Sequence, residues 1–229
     1  RPQPTVDPLP YLGAKIVNFE QLAQAPTAAP NPQDVIAQPG ELPTLPQDLL
    51  FQNLISRLHI WRTDGSAQVL AHGVDQQFIS SNKQFMLVLQ GPYENEQYSL
   101  LLLALPSSAH QYILEDAPLR AFKPSPDLRT IIFSLLGENG HETIFVHQLD
   151  AGTLPQPIHV CEGSCFPPFF PSITWHPTEK RVAFAAEQTI YVHNVAAGIG
   201  AQPIHACQQR CVDNIGWHVG TDSLIFADE

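Results

Sequence analysis

An internal repeat constrains this chain more than any other feature. Gln156-Pro-Ile-His-Val-Cys161-Glu-Gly-Ser-Cys165 returns as Gln202-Pro-Ile-His-Ala-Cys207-Gln-Gln-Arg-Cys211, an offset of 46 residues (202 − 156). Each copy is followed by a tryptophan segment, Ile173-Thr-Trp175-His-Pro in one and Ile215-Gly-Trp217-His-Val in the other. Such a chain folds as repeated units, and each unit buries its apolar faces against its neighbours.

A wider window shows four short strands per unit. One unit runs Ile173-Thr-Trp-His, Arg181-Val-Ala-Phe-Ala-Ala, Thr189-Ile-Tyr-Val-His-Asn and Gln202-Pro-Ile-His. The unit before it runs Arg120-Ala-Phe-Lys, Thr130-Ile-Ile-Phe-Ser-Leu, Thr143-Ile-Phe-Val-His-Gln and Gln156-Pro-Ile-His-Val. An earlier one runs Gln77-Phe-Ile-Ser, Gln84-Phe-Met-Leu-Val-Leu, Tyr98-Ser-Leu-Leu-Leu-Leu-Ala and His110-Gln-Tyr-Ile-Leu. Partial copies flank them, from Asp48 to Leu70 and from Asn214 to Ala227. Units of about 40 to 50 residues with four strands have the period of propeller blades. The second strands are apolar nearly throughout, as strands covered on both faces should be. The expected fold class is therefore all-β, a β-propeller with three full and two partial four-stranded blades. An antiparallel sandwich is the alternative, and the repetition tells against it.

The residues also resemble a known family. An aromatic strand, a Pro/Asp/Gly-type turn, an Ile-Ala-Phe-like strand and an Ile-Tyr-Val strand are similar to the TolB-type, WD-like β-propeller repeat. Lys123-Pro-Ser-Pro-Asp127 before Thr130-Ile-Ile-Phe is the nearest match to its Ser-Pro-Asp-Gly turn. Trp175-His-Pro-Thr-Glu matches less well, and Ser80-Ser-Asn-Lys and His218-Val-Gly-Thr-Asp less again. The resemblance covers 48–229 and implies the fold; propellers host binding and catalysis alike.

Residues 1–47 differ in texture and hold 10 of the 22 prolines. Proline fixes φ and lacks a backbone donor, so this stretch reads as an extended arm or linker. Only Lys15 to Gln24 suits a short helix, with Ile16, Phe19, Leu22 and Ala23 on one face. The expected domains are thus an arm over 1–47 and a propeller domain over 48–229. Both partial copies contain a second strand, Leu49-Leu-Phe and Leu224-Ile-Phe. That favours a fragment of a propeller of about six to eight blades over a closed four-bladed ring.

Composition narrows the function. Eleven Lys and Arg against 22 Asp and Glu give a net charge of −11. Such a balance argues against nucleic acid, whose phosphates require clustered cations. No apolar run reaches the roughly 18 residues of a membrane-spanning helix. The four cysteines fall in two pairs, Cys161/Cys165 and Cys207/Cys211. Even pairing suits an oxidising compartment, so the expected location is extracytoplasmic: periplasmic, cell-surface or secreted. Two local disulfides would each contribute roughly 2 kcal/mol on a loop-entropy argument. Cys-x3-Cys spacing also suits thiolate zinc ligands, aided by His159 and His205, but equivalent loops of adjacent blades are not obviously close enough for one four-thiolate site.

No catalytic, cofactor-binding or metal motif stands out. The chain lacks a Gly-x-Ser-x-Gly elbow, a His-Glu-x-x-His pair, a phosphate-binding loop and a Rossmann glycine pattern. The histidines recur with the repeat, so they read as inherited positions. Cys165-Phe-Pro-Pro-Phe-Phe-Pro171 places Phe166, Phe169 and Phe170 among stiff prolines. They are candidate partner contacts; the alternative is that they plug a blade junction. The expected function is an exported, non-catalytic interaction or assembly module, binding a protein partner or itself. The alternative is the propeller of an exported peptidase or hydrolase whose catalytic domain lies beyond Glu229.

Overall fold

The computed structural model describes residues 15, 19–26, 32–42, 48–53, 56–92, 96–105, 107–166, 172–208, 211, 215–218 and 220–227. They form two compact units, Val17–Asp116 and a second containing Ala117–Glu229. Strands dominate both.

In the first unit, helix α1 (Phe19–Gln24) is followed by β1 (Val35–Ala37), β2 (Leu49–Gln52), β3 (Leu58–Trp61) and β4 (Ala67–Ala71). These four strands make an antiparallel sheet in the order β1-β4-β3-β2. Strands β5 (Val74–Ile79), β6 (Phe85–Gln90), β7 (Tyr98–Ala104) and β8 (His110–Ala117) make the next, in chain order. The two sheets share a core of Leu58, Ala71, Val74, Met86, Val88, Leu101 and Leu103. Strands β6 and β7 are buried almost end to end, which explains their unbroken apolar sequence.

In the second unit, β9 (Leu119–Pro124), β10 (Thr130–Leu136), β11 (Glu142–Gln148) and β12 (Gln156–Cys161) form one sheet in chain order. Strands β13 (Ile173–Trp175), β14 (Arg181–Ala186), β15 (Thr189–Asn194) and β16 (Gln202–Ala206) form another. Strands β17 (Gly216–His218) and β18 (Ser223–Ile225) make a two-stranded piece. Alternate residues turn to opposite faces. Thus Ala121, Ile132, Ile144, Val146 and Ile158 of one sheet meet Ile173, Trp175, Val182, Phe184 and Ala186 of the next in a single core.

The chain is therefore all-β and of propeller type: successive four-stranded antiparallel sheets, stacked face to face within each unit. Four such sheets are described, not three. Strand β1 supplies the fourth strand of the first, and it lies within the stretch expected as an arm. A three-residue strand between Pro and Gly residues shows no legible periodicity, so its pairing could not be read from sequence. In the same stretch, α1 buries Leu22 and sets Phe19 edge-on to Phe85, ring centres 4.7 Å apart.

A shared irregularity shows the repeat geometrically in the second unit. Partner numbering slips between Ile144↔His159 and Phe145↔Pro157, leaving Ile158 as an extra residue on the outer strand. The same slip leaves Ile204 extra between Ile190↔His205 and Tyr191↔Pro203. A slip in the first sheet leaves Leu70 extra between Leu58↔Ala71 and His59↔Val69, but there on an inner strand that β1 also pairs. The matching bulges on β12 and β16 mark those two as corresponding strands, since a bulge both kinks a strand and sets its register.

Candidate functional site

The best-defined polar structure lies around the first cysteine pair. Cys161 ends β12 and is bonded to Cys165; the second pair, Cys207–Cys211, is bonded likewise, and each has a Cα–Cα distance of 5.4 Å. Both expected disulfides are thus formed, and all four sulfur-bearing residues are buried. Glu142, the first residue of β11, anchors the first loop. Its Oε2 accepts the Cys165 N–H at 2.7 Å and lies 3.0 Å from the Ser164 hydroxyl. That hydroxyl also reaches the Phe166 carbonyl at 2.7 Å. Oε1 of Glu142 is buried without a hydrogen-bond partner among the described residues. The Cys161 carbonyl lies 3.2 Å from Nδ1 of His141 and so accepts a hydrogen bond from it.

Glu187 closes the other side. It sits at the β14–β15 turn with φ 55°, and its N–H donates to the Cys165 carbonyl at 3.2 Å. A ring nitrogen of His159, Sγ of Cys161 and a carboxylate oxygen of Glu187 all lie within 4.8 Å of one another. The His159 ring packs on Tyr191 with centres 4.3 Å apart. Burial lowers the His159 pKa below its ordinary value, while the Glu187 carboxylate pulls it back up. Burial raises that of Tyr191. Sequence reasoning missed Glu142 and Glu187, because both lie far from the cysteines along the chain: strand register brings Glu142 to the loop, and the β14–β15 turn brings Glu187.

The aromatic candidates separate. Phe166 is only 5% exposed and belongs to the core between the two sheets, edge-on to Phe184 at 6.4 Å. Phe169 and Phe170 lie outside the described residues.

A second polar cluster joins β17–β18 to the preceding sheet. Asp222 pairs with Arg181 and lies 3.5 Å from Nε2 of His176. The Arg181 guanidinium sits 5.0 Å from the Trp217 ring centre, and His176 meets the same ring edge-on at 4.8 Å. The indole N–H groups make repeated ties: Trp175 donates to the Lys123 carbonyl at 3.1 Å, and Trp217 to that of Thr174 at 3.3 Å. Each bond joins the first strand of one sheet to the first strand of the sheet before it.

Two of the recurring histidines hold loops. His147 donates from Nε2 to the Thr153 carbonyl at 2.9 Å, holding the β11–β12 loop. His193 takes the same place on β15 and bonds backbone at Ile199. Burial holds the His147 pKa down to about 4, against the opposing effect of the Thr153 bond. That of His193 is lowered for the same reason.

Among the described residues, two side chains at the C-terminal end of the second unit are more exposed than their repeat equivalents. Ile204 is 49% exposed, whereas its repeat equivalent Ile158 is 6% exposed. The pairings Trp217↔Leu224 and Trp175↔Val182 make Ile225 equivalent to Ala183. Ile225 is 56% exposed, and Ala183 is fully buried.

No family model matches the chain, and no curated protein matches it. Among solved structures it is similar to the β-propeller domain of the Trilobed protease from Pyrococcus furiosus, at 12% identity and TM-score 0.47, covering 72% of this chain and 55% of that one. It is also similar to TolB from Acinetobacter baumannii, at 13% identity and TM-score 0.46, covering 79% and 52%. A third likeness is to Pyrococcus horikoshii acylaminoacyl peptidase, at 13% identity and TM-score 0.45, covering 72% and 31%. The chain spans about half the length of the first two. These neighbours are of the TolB-type and propeller kind that the repeat resembles. At these scores the fold assignment stands on the sheets and bulges described above.

Proposed function

We propose that this chain is an exported, non-catalytic module that works by association through the β17–β18 end of its second unit. The exposure of Ile204 and Ile225, where the repeat buries their equivalents, carries this reading. Apolar side chains of repeat type that lack their usual cover offer a surface that a partner can bury. The two disulfides support an oxidising compartment outside the cytoplasm. The acidic balance favours a protein partner or a second copy over nucleic acid.

Sedimentation velocity over a concentration series tests this reading, using the wild type and an Ile204→Glu/Ile225→Glu double variant. The reading expects association in the wild type and its loss in the double variant, with no turnover of peptide or ester substrates in either. A wild type that stays monomeric throughout, or hydrolyses such a substrate, refutes it.

A further inference from the structure

We propose that the first cysteine loop is a redox-gated zinc site, with His159, Cys161, Cys165 and Glu187 as its four ligands. The donor atoms of His159, Cys161 and Glu187 already lie within 4.8 Å of one another. Cys165 is bonded to Cys161 and stands outside that group of three; its sulfur becomes available as the fourth donor once reduction frees it from Cys161. Two thiolates, an imidazole and a carboxylate are the donor types that tetrahedral zinc takes, and Cys-x3-Cys falls within the usual spacing of its thiolate pairs. Nε2 of His159 is buried without a hydrogen-bond partner among the described residues. Glu187 is exposed at its turn, which leaves a route for the ion from solvent.

The sequence supplies an independent observation. The order His159-x-Cys161-x3-Cys165 followed by Phe184-Ala-Ala-Glu187 recurs as His205-x-Cys207-x3-Cys211 followed by Phe226-Ala-Asp-Glu229. All four donor residues return together in the second copy. Glu229 lies outside the described residues, so the site is argued on the first copy alone.

The gate is the disulfide. A dithiol reductant supplies two electrons and two protons, breaks the Cys161–Cys165 bond and leaves as its own disulfide. Zinc then displaces the two thiol protons and bonds both thiolates. In the oxidised state the sulfur–sulfur bond fastens the loop. In the reduced state the ion fastens the same loop to β12 and to the β14–β15 turn.

Cobalt(II), as a spectroscopic stand-in for zinc, tests this on a full-length Cys207→Ser/Cys211→Ser variant. The protein is reduced with a dithiol, desalted without oxygen and titrated. The expected result is one cobalt per chain, with the visible bands of tetrahedral cobalt and a thiolate charge-transfer band, all displaced by zinc and absent before reduction. His159→Ala and Glu187→Gln should each weaken binding at least about tenfold, the loss that even an outer partner causes. Circular dichroism separates binding from unfolding: a strand signal that survives reduction, or returns with zinc, supports the site. The proposal is overturned if the reduced chain shows no such bands. It is also overturned if His159→Ala and Glu187→Gln bind as tightly as their parent, if the oxidised chain binds equally, or if the strand signal is lost and zinc does not restore it.

Discussion

At the scale of single residues, the fold depends on polar groups whose bonds cross between strands and sheets. Trp175 is buried, and its indole N–H ties β13 to the Lys123 carbonyl. Trp175→Ala should lower unfolding free energy by about 3–5 kcal/mol, a cost set by cavity formation. Trp217 is only half-buried, so Trp217→Ala should cost clearly less; urea unfolding of both variants gives the comparison. Glu142→Ala should cost about 1–3 kcal/mol, because it strands the buried Cys165 N–H. His147 sets a pH dependence. Its folded pKa of about 4 lies below the ordinary 6.5, so the unfolded chain binds the proton more readily between those values. Stability is then full above pH 6.5 and falls as pH drops toward 4, by about 3 kcal/mol for this residue. Urea unfolding at pH 7 and pH 4.5 should show the loss, and His147→Gln should shrink it. An equal loss in the variant would assign the effect elsewhere.

At the scale of elements, strand identity was legible where apolar runs were long and repeated. The second and third strands of each full unit, such as Ile131-Ile-Phe and Ile190-Tyr-Val, announced themselves by composition. Strand β1 did not, because three residues carry no period and its pairing to β4 is set at a distance of some thirty residues along the chain. The turns were partly legible. Ser125 and Asp127 bond the Thr130 and Arg129 N–H groups, as a Ser-Pro-Asp turn suggests. Ser80 and Asn82 build a matching turn, although the sequence match there is weak. Deleting residues 1–47 removes β1 and α1, bares the edge of β4 and exposes Phe85. It should lower the thermal midpoint by several degrees; an unchanged midpoint would show that these contacts contribute nothing to the fold. Breaking the first staple with Cys161→Ser/Cys165→Ser should cost roughly 2 kcal/mol in unfolding experiments under oxidising conditions without zinc.

At the scale of the whole molecule, the repeat explains both what is buried and what is not. Each four-stranded sheet presents apolar side chains on two faces, and a neighbouring sheet is the natural cover. Ile158 has that cover and Ile204 lacks it. The sequence showed the two residues as equals, since exposure depends on what stacks next and not on the residue. For the same reason the cysteine pairing was legible from spacing, whereas the carboxylates beside it were not. Peptide-resolved hydrogen exchange on the lone chain tests this account most directly. It predicts slow exchange for Ile131–Leu135 and Val182–Ala186, and fast exchange for Leu224–Phe226 at the uncovered end. Equally slow exchange at Leu224–Phe226 would contradict it, because that strand would then be covered and paired as its equivalents are.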